Sequence, residues 1–209
     1  MTSPITPPKN ETYHLKVGVL ALQGSFAEHL AVLKKIGVET VEVRLPDQLT
    51  DLDGLIIPGG ESTAIGKLLV DFDLLEPLRK FGREKPIWLT CAGAIILSKD
   101  ARRNQPLLEL MDITVDRNAF GRQIASFETS LEIPVLAEIS PDPPTFPGVF
   151  IRAPLISSVS GDAQVLSVLD DGGIVAAQQK GLLATAFHPE LTDDDRVHRY
   201  FLGLIKESK

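Results

Sequence analysis

Residues 86–97, Pro86-Ile87-Trp88-Leu89-Thr90-Cys91-Ala92-Gly93-Ala94-Ile95-Ile96-Leu97, contain the only cysteine of a 209-residue chain. Four residues, Ile87–Thr90, read as a short buried strand; Cys91-Ala92-Gly93 is a turn of small residues, and Ala94–Leu97 reopens an apolar run. A strand that turns sharply into a helix projects its central side chain above the sheet. Upstream the same alternation recurs. Val17–Leu22, Thr40–Arg44 and Leu55–Ile57 are strand candidates, and Phe26, Leu30 and Leu33 mark one face of a helix that stops at Gly37. Short apolar strands separated by amphipathic helices predict a three-layer α/β domain, a mostly parallel sheet with flanking helices and a site at the carboxyl ends of the strands.

Downstream the pattern is less regular. Prolines at 106, 134, 141, 143, 144 and 147 break any long helix, so Asp100–Pro147 is expected to form short strands and loops with an antiparallel edge. Val149–Arg152, Val165–Leu169, Ile174–Gln178 and Leu183–Phe187 are further strand candidates, two of them flanking the turn Asp170-Asp171-Gly172-Gly173. A final helix is expected from about Asp193 to Lys206. Thr192 and Asp195 have capping-box spacing at its start, and Val197, Phe201 and Leu204 form its apolar face. The Pro-, Thr- and Asn-rich start predicts a solvated tail over residues 1–14, ahead of a single domain over 15–209.

Composition narrows the classes. A net charge of −7 with no basic cluster disfavours nucleic-acid binding. No apolar run reaches the roughly 18 residues of a membrane span, and no signal-peptide order opens the chain. One cysteine gives no internal disulfide and no zinc-type pairing, which fits a reducing, cytoplasmic setting with no metal or cofactor.

Three constellations carry the chemistry. Cys91 sits at the elbow, where a following helix N-terminus would favour a thiolate, although a lone cysteine in an apolar run is by itself also the mark of an inert core thiol. In Phe187-His188-Pro189-Glu190, residues i and i+2 of an extended segment share a side, so Glu190 can orient His188. A thiol needs a base and the base needs an orienting group, so Cys91, His188 and Glu190 would complete a triad. The third is Leu55-Ile56-Ile57-Pro58-Gly59-Gly60-Glu61-Ser62-Thr63, where two glycines after a strand permit close backbone approach. There the N–H of Gly60 could pair with that of Ala92 as an oxyanion hole, or Ser62 or Thr63 could simply cap a helix. A phosphate loop fits poorly, because five residues separate Gly60 from Gly66 and Leu68 follows Lys67. His14, His29 and His198 are expected to be solvated, and Asp193-Asp194-Asp195 to supply charge at a helix N-terminus and not to bind metal.

In this order, Gly-Gly-Glu-Ser after a strand, Thr-Cys-Ala-Gly at an elbow and His-Pro-Glu near the C-terminus resemble a class I (triad) glutamine amidotransferase of flavodoxin-like architecture. Val19–Ser25, Arg117-Asn118-Ala119-Phe120-Gly121-Arg122-Gln123, Phe150–Pro154 and Phe187–Thr192 narrow the resemblance to the glutaminase subunits of pyridoxal 5′-phosphate synthases, over about Val17–Leu202. The resemblance implies hydrolysis of L-glutamine to glutamate and ammonia, through a thioester on Cys91, with His188 moving protons and Glu190 orienting it. It also implies substrate contacts at Gly60, Glu61, Ser62, Arg117, Ile151 and Arg152, and leaves Arg122 open. A partner is implied as well: a synthase subunit of (β/α)-barrel fold that takes the ammonia for vitamin B6 synthesis, docking near Gln23-Gly24-Ser25 and the first helix. A glutaminase serving a different synthase, or a cysteine hydrolase or peptidase on a related fold, would use the same trio. Two features depart from the pattern: Leu89 stands where a small residue is usual, and the tail before Lys16 has no counterpart.

Overall fold

The computed structural model describes residues 14–102, 104–117 and 126–209. The predicted tail, apart from His14, and Arg122 with the rest of 118–125 lie outside the described residues. The first half of the chain winds as expected: β1 (Lys16–Leu20), α1 (Phe26–Lys35), β2 (Glu39–Val43), β3 (Gly54–Ile57), α2 (Ser62–Asp71), α3 (Leu75–Glu84), β4 (Ile87–Thr90) and α4 (Gly93–Leu97). The second half is mostly strand: β5 (Ser98–Asp100), β6 (Met111–Asp116), β7 (Ser126–Leu131), β8 (Phe146–Ile151), β9 (Leu155–Val159), β10 (Gln164–Val168), β11 (Ile174–Gln179) and β12 (Leu182–Thr185). It closes with helix α5 (Arg196–Glu207).

The large sheet runs β2-β1-β3-β4-β12-β11-β9-β6-β5, with β10 paired to β11. From β2 to β12 the neighbours are parallel, which brings their carboxyl ends to one edge. Beyond β12 the pairings through β11, β9 and β6 turn antiparallel. The antiparallel edge expected within residues 100–147 is only partly there: β6 pairs antiparallel with β9 but parallel with β5, and most of the antiparallel part lies later, at β9–β12, including the hairpin β10–β11 around the Asp-Asp-Gly-Gly turn. A separate ribbon pairs β7 with β8.

Strand alternation distributes the core to both faces. Val17, Val19, Ile56 and Trp88 pack with Leu30, Leu33, Val197 and Phe201 beneath α1 and α5. Leu20, Leu55, Ile57 and Leu89 pack on the opposite face with Ile65, Leu78 and Ile96 of α2, α3 and α4. Trp88 and Phe201 are completely buried, and each such side chain contributes about 1.5–3 kcal/mol. Leu89 is also fully buried, and its Cβ would lie 3.1 Å from a Cβ on Gly93, so it supports the elbow from below.

Several boundaries differ from expectation: β8 begins at Phe146, three residues before Val149, β12 ends at Thr185, two residues before Phe187, and two others have a local cause. β1 ends at Leu20, two residues before the predicted Leu22, because the chain turns there toward Gly24 at φ +93°. The last helix begins at Arg196 and the predicted capping box does not form. Thr192 is used instead to end a 3₁₀ turn at Pro189–Leu191, its hydroxyl donating to the Pro189 carbonyl at 2.9 Å. Asp194 and Asp195 are taken by Arg196 and Arg199, so they act as side-chain clamps more than as dipole charge.

Candidate active site

The elbow forms because Cys91 follows β4 in a left-handed conformation, φ +47°, held by its N–H donating to the Thr185 carbonyl at 2.7 Å. A non-glycine residue in that region is strained and persists only where its surroundings fix it. Here the small Ala92 and Gly93 allow the turn: a Cβ on Gly93 would meet the Ile57 carbonyl at 3.0 Å. The helix behind the elbow, α4, has only five residues, so its dipole supports a thiolate less than the sequence suggested.

The parallel strand β12 ends beside β4 and delivers His188 and Glu190 to the same edge. His188 is buried, and its Nδ1 lies 2.7 Å from Glu190 Oε1. Its ring lies beside Cys91. Burial works against charge on His188, but the Cys91 and Glu190 contacts outweigh it and raise its pKa to about 10. Burial likewise opposes charge on Glu190, yet His29, His188 and Ser25 lower its pKa to about 2.

The Gly-Gly loop lies against this pair. A Cβ on Gly59 would fall 2.7 Å from Cys91 Cβ and 2.9 Å from His188 Cε1, so glycine is required by close approach. The Gly59 N–H is committed to Thr90 Oγ1 at 2.8 Å, and its carbonyl accepts from the Ser25 N–H at 3.3 Å. Because a peptide is trans and planar, the Gly60 N–H points to the opposite side from Ser25. Glu61 caps α2, accepting from the N–H groups of Thr63 and Ala64, and pairs with Arg117. Burial opposes its charge, but the hydrogen bonds from Ala64 and Thr63 and the Arg117 guanidinium outweigh that cost and depress its pKa.

Cys91, Ala92, His188, Gly60, Glu61, Ser62, Arg117, Ile151 and Arg152 all border one cavity of about 430 Å³. Glu190 stands behind His188, outside the cavity wall. Ser62 Oγ is buried without a partner among the described residues, and Cys91 Sγ reaches the Ile151 carbonyl at 3.8 Å. Arg152 is held at the rim in a left-handed conformation, φ +46°. A larger concavity of about 980 Å³ lies between β8 and the start of α5, lined by Asp193, Asp194 and Arg199, and neither Cys91 nor His188 borders it. The smaller one brings Cys91 and His188 to a single wall.

Two histidines contradict the expectation of solvation. His29 and His198 are both completely buried behind Glu190. The signal was present in the helical spacing: His29 lies three residues after Phe26 and four before Leu33, and His198 three before Phe201, so each falls on an apolar face. Ser25, which donates to Glu190 Oε1, and Gln23, which accepts from the Glu61 N–H at 2.9 Å, were expected only at a docking surface but also contact the site residues.

A cysteine at an elbow, a histidine and a carboxylate, gathered at the carboxyl edge of a parallel sheet, is the make-up of the triad glutamine amidotransferases. Comparison with known proteins agrees: the sequence matches the SNO glutamine amidotransferase family over residues 19–207, and the chain belongs to that family. A pyridoxal 5′-phosphate synthase subunit PdxT of Herpetosiphon aurantiacus is 58% identical over 91% of this chain and 100% of its own length. One from Chloroflexus aurantiacus is 54% identical with the same coverage. Among solved structures, a glutamine amidotransferase superposes with a TM-score of 0.84 at 46% identity, over 91% of this chain and 98% of that one. A GMP synthase component of Thermoplasma acidophilum, at 22% identity over 93% of this chain and 96% of its own, shares the fold with a TM-score of 0.67.

Proposed function

We propose that this chain is the glutaminase subunit of a pyridoxal 5′-phosphate synthase, hydrolysing L-glutamine at Cys91. The observation that carries the reading is the meeting of Cys91, His188 and Gly59 at one point of a cavity sized for an amino acid. His188, its pKa raised to about 10 and its ring therefore protonated at neutral pH, holds the proton given up by Cys91 and passes it to the departing ammonia as Sγ attacks the side-chain amide carbon. The thioester left on Cys91 is attacked by water, whose proton His188 accepts, and glutamate leaves with the thiol restored. Glu190 fixes the His188 tautomer with Nδ1 as donor and stabilises the imidazolium.

The N–H groups of Gly60 and Ala92 are the donors assigned to the oxyanion, since that of Gly59 is already used by Thr90. Glu61 and Arg117, paired across the rim, offer opposite charges to the α-ammonium and α-carboxylate of glutamine; Ser62, Ile151 and Arg152 complete the contacts. Ammonia passes to a synthase subunit of (β/α)-barrel fold that docks near Gln23-Gly24-Ser25 and α1. No described helix is long and apolar enough to cross a membrane, in keeping with cytoplasmic work in such a complex. Residues 15–209 act as one glutaminase domain.

The test is glutamate release from L-glutamine by the purified chain, alone and with such a synthase partner, with Cys91→Ala as control. Release that the partner stimulates and the variant loses supports the reading. Release that persists in Cys91→Ala refutes the triad, and indifference to the partner refutes the pathway.

A further inference from the structure

The catalytic carboxylate has a second face that the hydrolysis scheme leaves unused. Glu190 Oε1 receives His188 Nδ1 and Ser25 Oγ, while Oε2 is buried and makes no well-aligned hydrogen bond among the described residues. The group that approaches Oε2 is His29 Nε2, at 3.3 Å, with both side chains wholly inaccessible to solvent. On the far side of that ring, His29 Nδ1 lies 3.0 Å from His198 Nε2, and His198 Nδ1 has no partner among the described residues. The two imidazoles are packed by Trp88, whose ring meets His29 edge-on at 5.3 Å and His198 at 4.8 Å. Thr90 Oγ1, which holds the Gly59 N–H, lies 3.5 Å from His29 Nε2.

Protonation in this row follows from its ends. Were His29 to donate through Nδ1 as a neutral ring, its Nε2 lone pair would face the Glu190 carboxylate and His198 would bury an orphaned N–H. The reverse order leaves only an acceptor lone pair unpartnered: His198 Nε2–H donates to His29 Nδ1, and His29 Nε2–H has the Glu190 Oε2 at 3.3 Å and the Thr90 Oγ1 at 3.5 Å as the acceptors before it. We propose that His29, seconded by His198, is a positioning residue of the reaction centre, clamping Glu190 Oε2 so that Oε1 is presented to His188 in one orientation. This rests on the hydrolytic role given above to Cys91, His188 and Glu190.

Burial lowers the pKa of both His29 and His198, against the pull of Glu190. Glu190 would be held lowest by a cationic His29, yet complete burial drives that ring toward neutrality, and burial decides because no water reaches it. The groups facing His29 are Glu190, His188 and His198, with Glu28 beside it on α1. At neutral pH His29 therefore works as a donor. A neutral donor orients a carboxylate without neutralising the charge that His188 needs during the reaction.

The test uses the full chain with its synthase partner and measures kcat and KM for glutamate release. His29→Leu keeps the volume and removes the donor; His29→Gln places an amide nitrogen near the position of Nε2. The expected result for His29→Leu is a kcat lower by about ten- to a hundredfold with KM within about twofold, short of the roughly 10⁴-fold loss for a triad carboxylate. His29→Gln is expected to recover most of that loss. The His188 Nδ1–H proton signal, observed with labelled histidine, should persist in the wild type and in His29→Gln and be lost to exchange in His29→Leu. Should His29→Leu fail to fold, His198→Phe, which keeps the ring and removes the donor to His29, is read in the same way. Unchanged kcat and proton signal in a folded His29→Leu or His198→Phe, or His29→Gln as impaired as His29→Leu, overturns the proposal. A wild type that releases no glutamate with its partner instead overturns the hydrolytic reading, while the proton signal still reports the clamp.

Discussion

Gly59→Ala puts the site geometry under the most direct strain. Its added Cβ would sit 2.7 Å from Cys91 Cβ and 2.9 Å from His188 Cε1, where ordinary contact begins near 3.4 Å. Cys91 must therefore retreat by about 0.7 Å and His188 by about 0.5 Å, and the Thr90 carbonyl at 3.2 Å blocks an easy escape of the loop. A misplacement near 1 Å at reacting groups costs on the order of 10²-fold in rate, so kcat is expected to fall about 30- to 100-fold. Overpacking of this kind destabilises by about 1–3 kcal/mol, which leaves the fold intact. The assay is steady-state glutamate release alongside a thermal melt. Gly37→Ala is the control: it sits at φ +83° with no atom within 4 Å of the new Cβ, so it should cost about 1 kcal/mol of stability and no activity. A Gly59→Ala enzyme with kcat within about threefold of wild type would refute the claim that this glycine exists to admit the nucleophile and the base.

Three further outcomes follow from the structure. Arg117→Ala should raise KM for glutamine by about tenfold or more with a smaller change in kcat, since it removes a ground-state contact; an unchanged KM in steady-state kinetics would remove Arg117 from the substrate site. Arg196, buried and bonded to Asp194 and to the carbonyls of Pro143 and Thr145, should cost about 3 kcal/mol when replaced by Met, read as a shift in the urea midpoint with activity retained. Stability should also fall on both sides of neutrality. His29 and His198 fold with lowered pKa, so their contribution is complete above the ordinary value of 6.5 and declines as pH falls below it. Glu190, at about 2 against 4.5, adds a loss as pH falls through that interval; His188, at about 10 against 6.5, gives stability that is complete below 6.5 and lost as pH rises toward 10. Urea titrations of His198→Phe between pH 5 and 6.5 should show a shallower slope than the wild type, and equal slopes would contradict the buried neutral state.

The parallel half of the fold was legible because its strands are buried on both faces and read as unbroken apolar runs such as Leu55-Ile56-Ile57 and Ile87–Thr90. Cys91, His188 and Glu190 were legible because each follows such a run, where a parallel sheet exposes its carboxyl edge. The start of α5 was misread because Thr192 and Asp195 have cap spacing, but local sequence does not reveal that a 3₁₀ turn takes Thr192 and Arg199 takes Asp195. His29 and His198 were assigned to solvent on polarity alone. Their burial depends on contacts 169 residues apart in the chain, between rings that meet only when α1 and α5 pack on the same face. Leu89, noted in the sequence as a departure from a small residue, is buried beneath the elbow because a strand between two buried neighbours exposes neither face.

The central claim, that Cys91 is the glutamine-directed nucleophile, is tested most directly by labelling the chain with a glutamine-mimicking diazoketone and mapping the adduct by mass spectrometry. The account predicts one equivalent on Cys91, blocked by excess L-glutamine and sharply slowed in His188→Ala. Glutamate release with no adduct on Cys91, or labelling indifferent to glutamine, would contradict it.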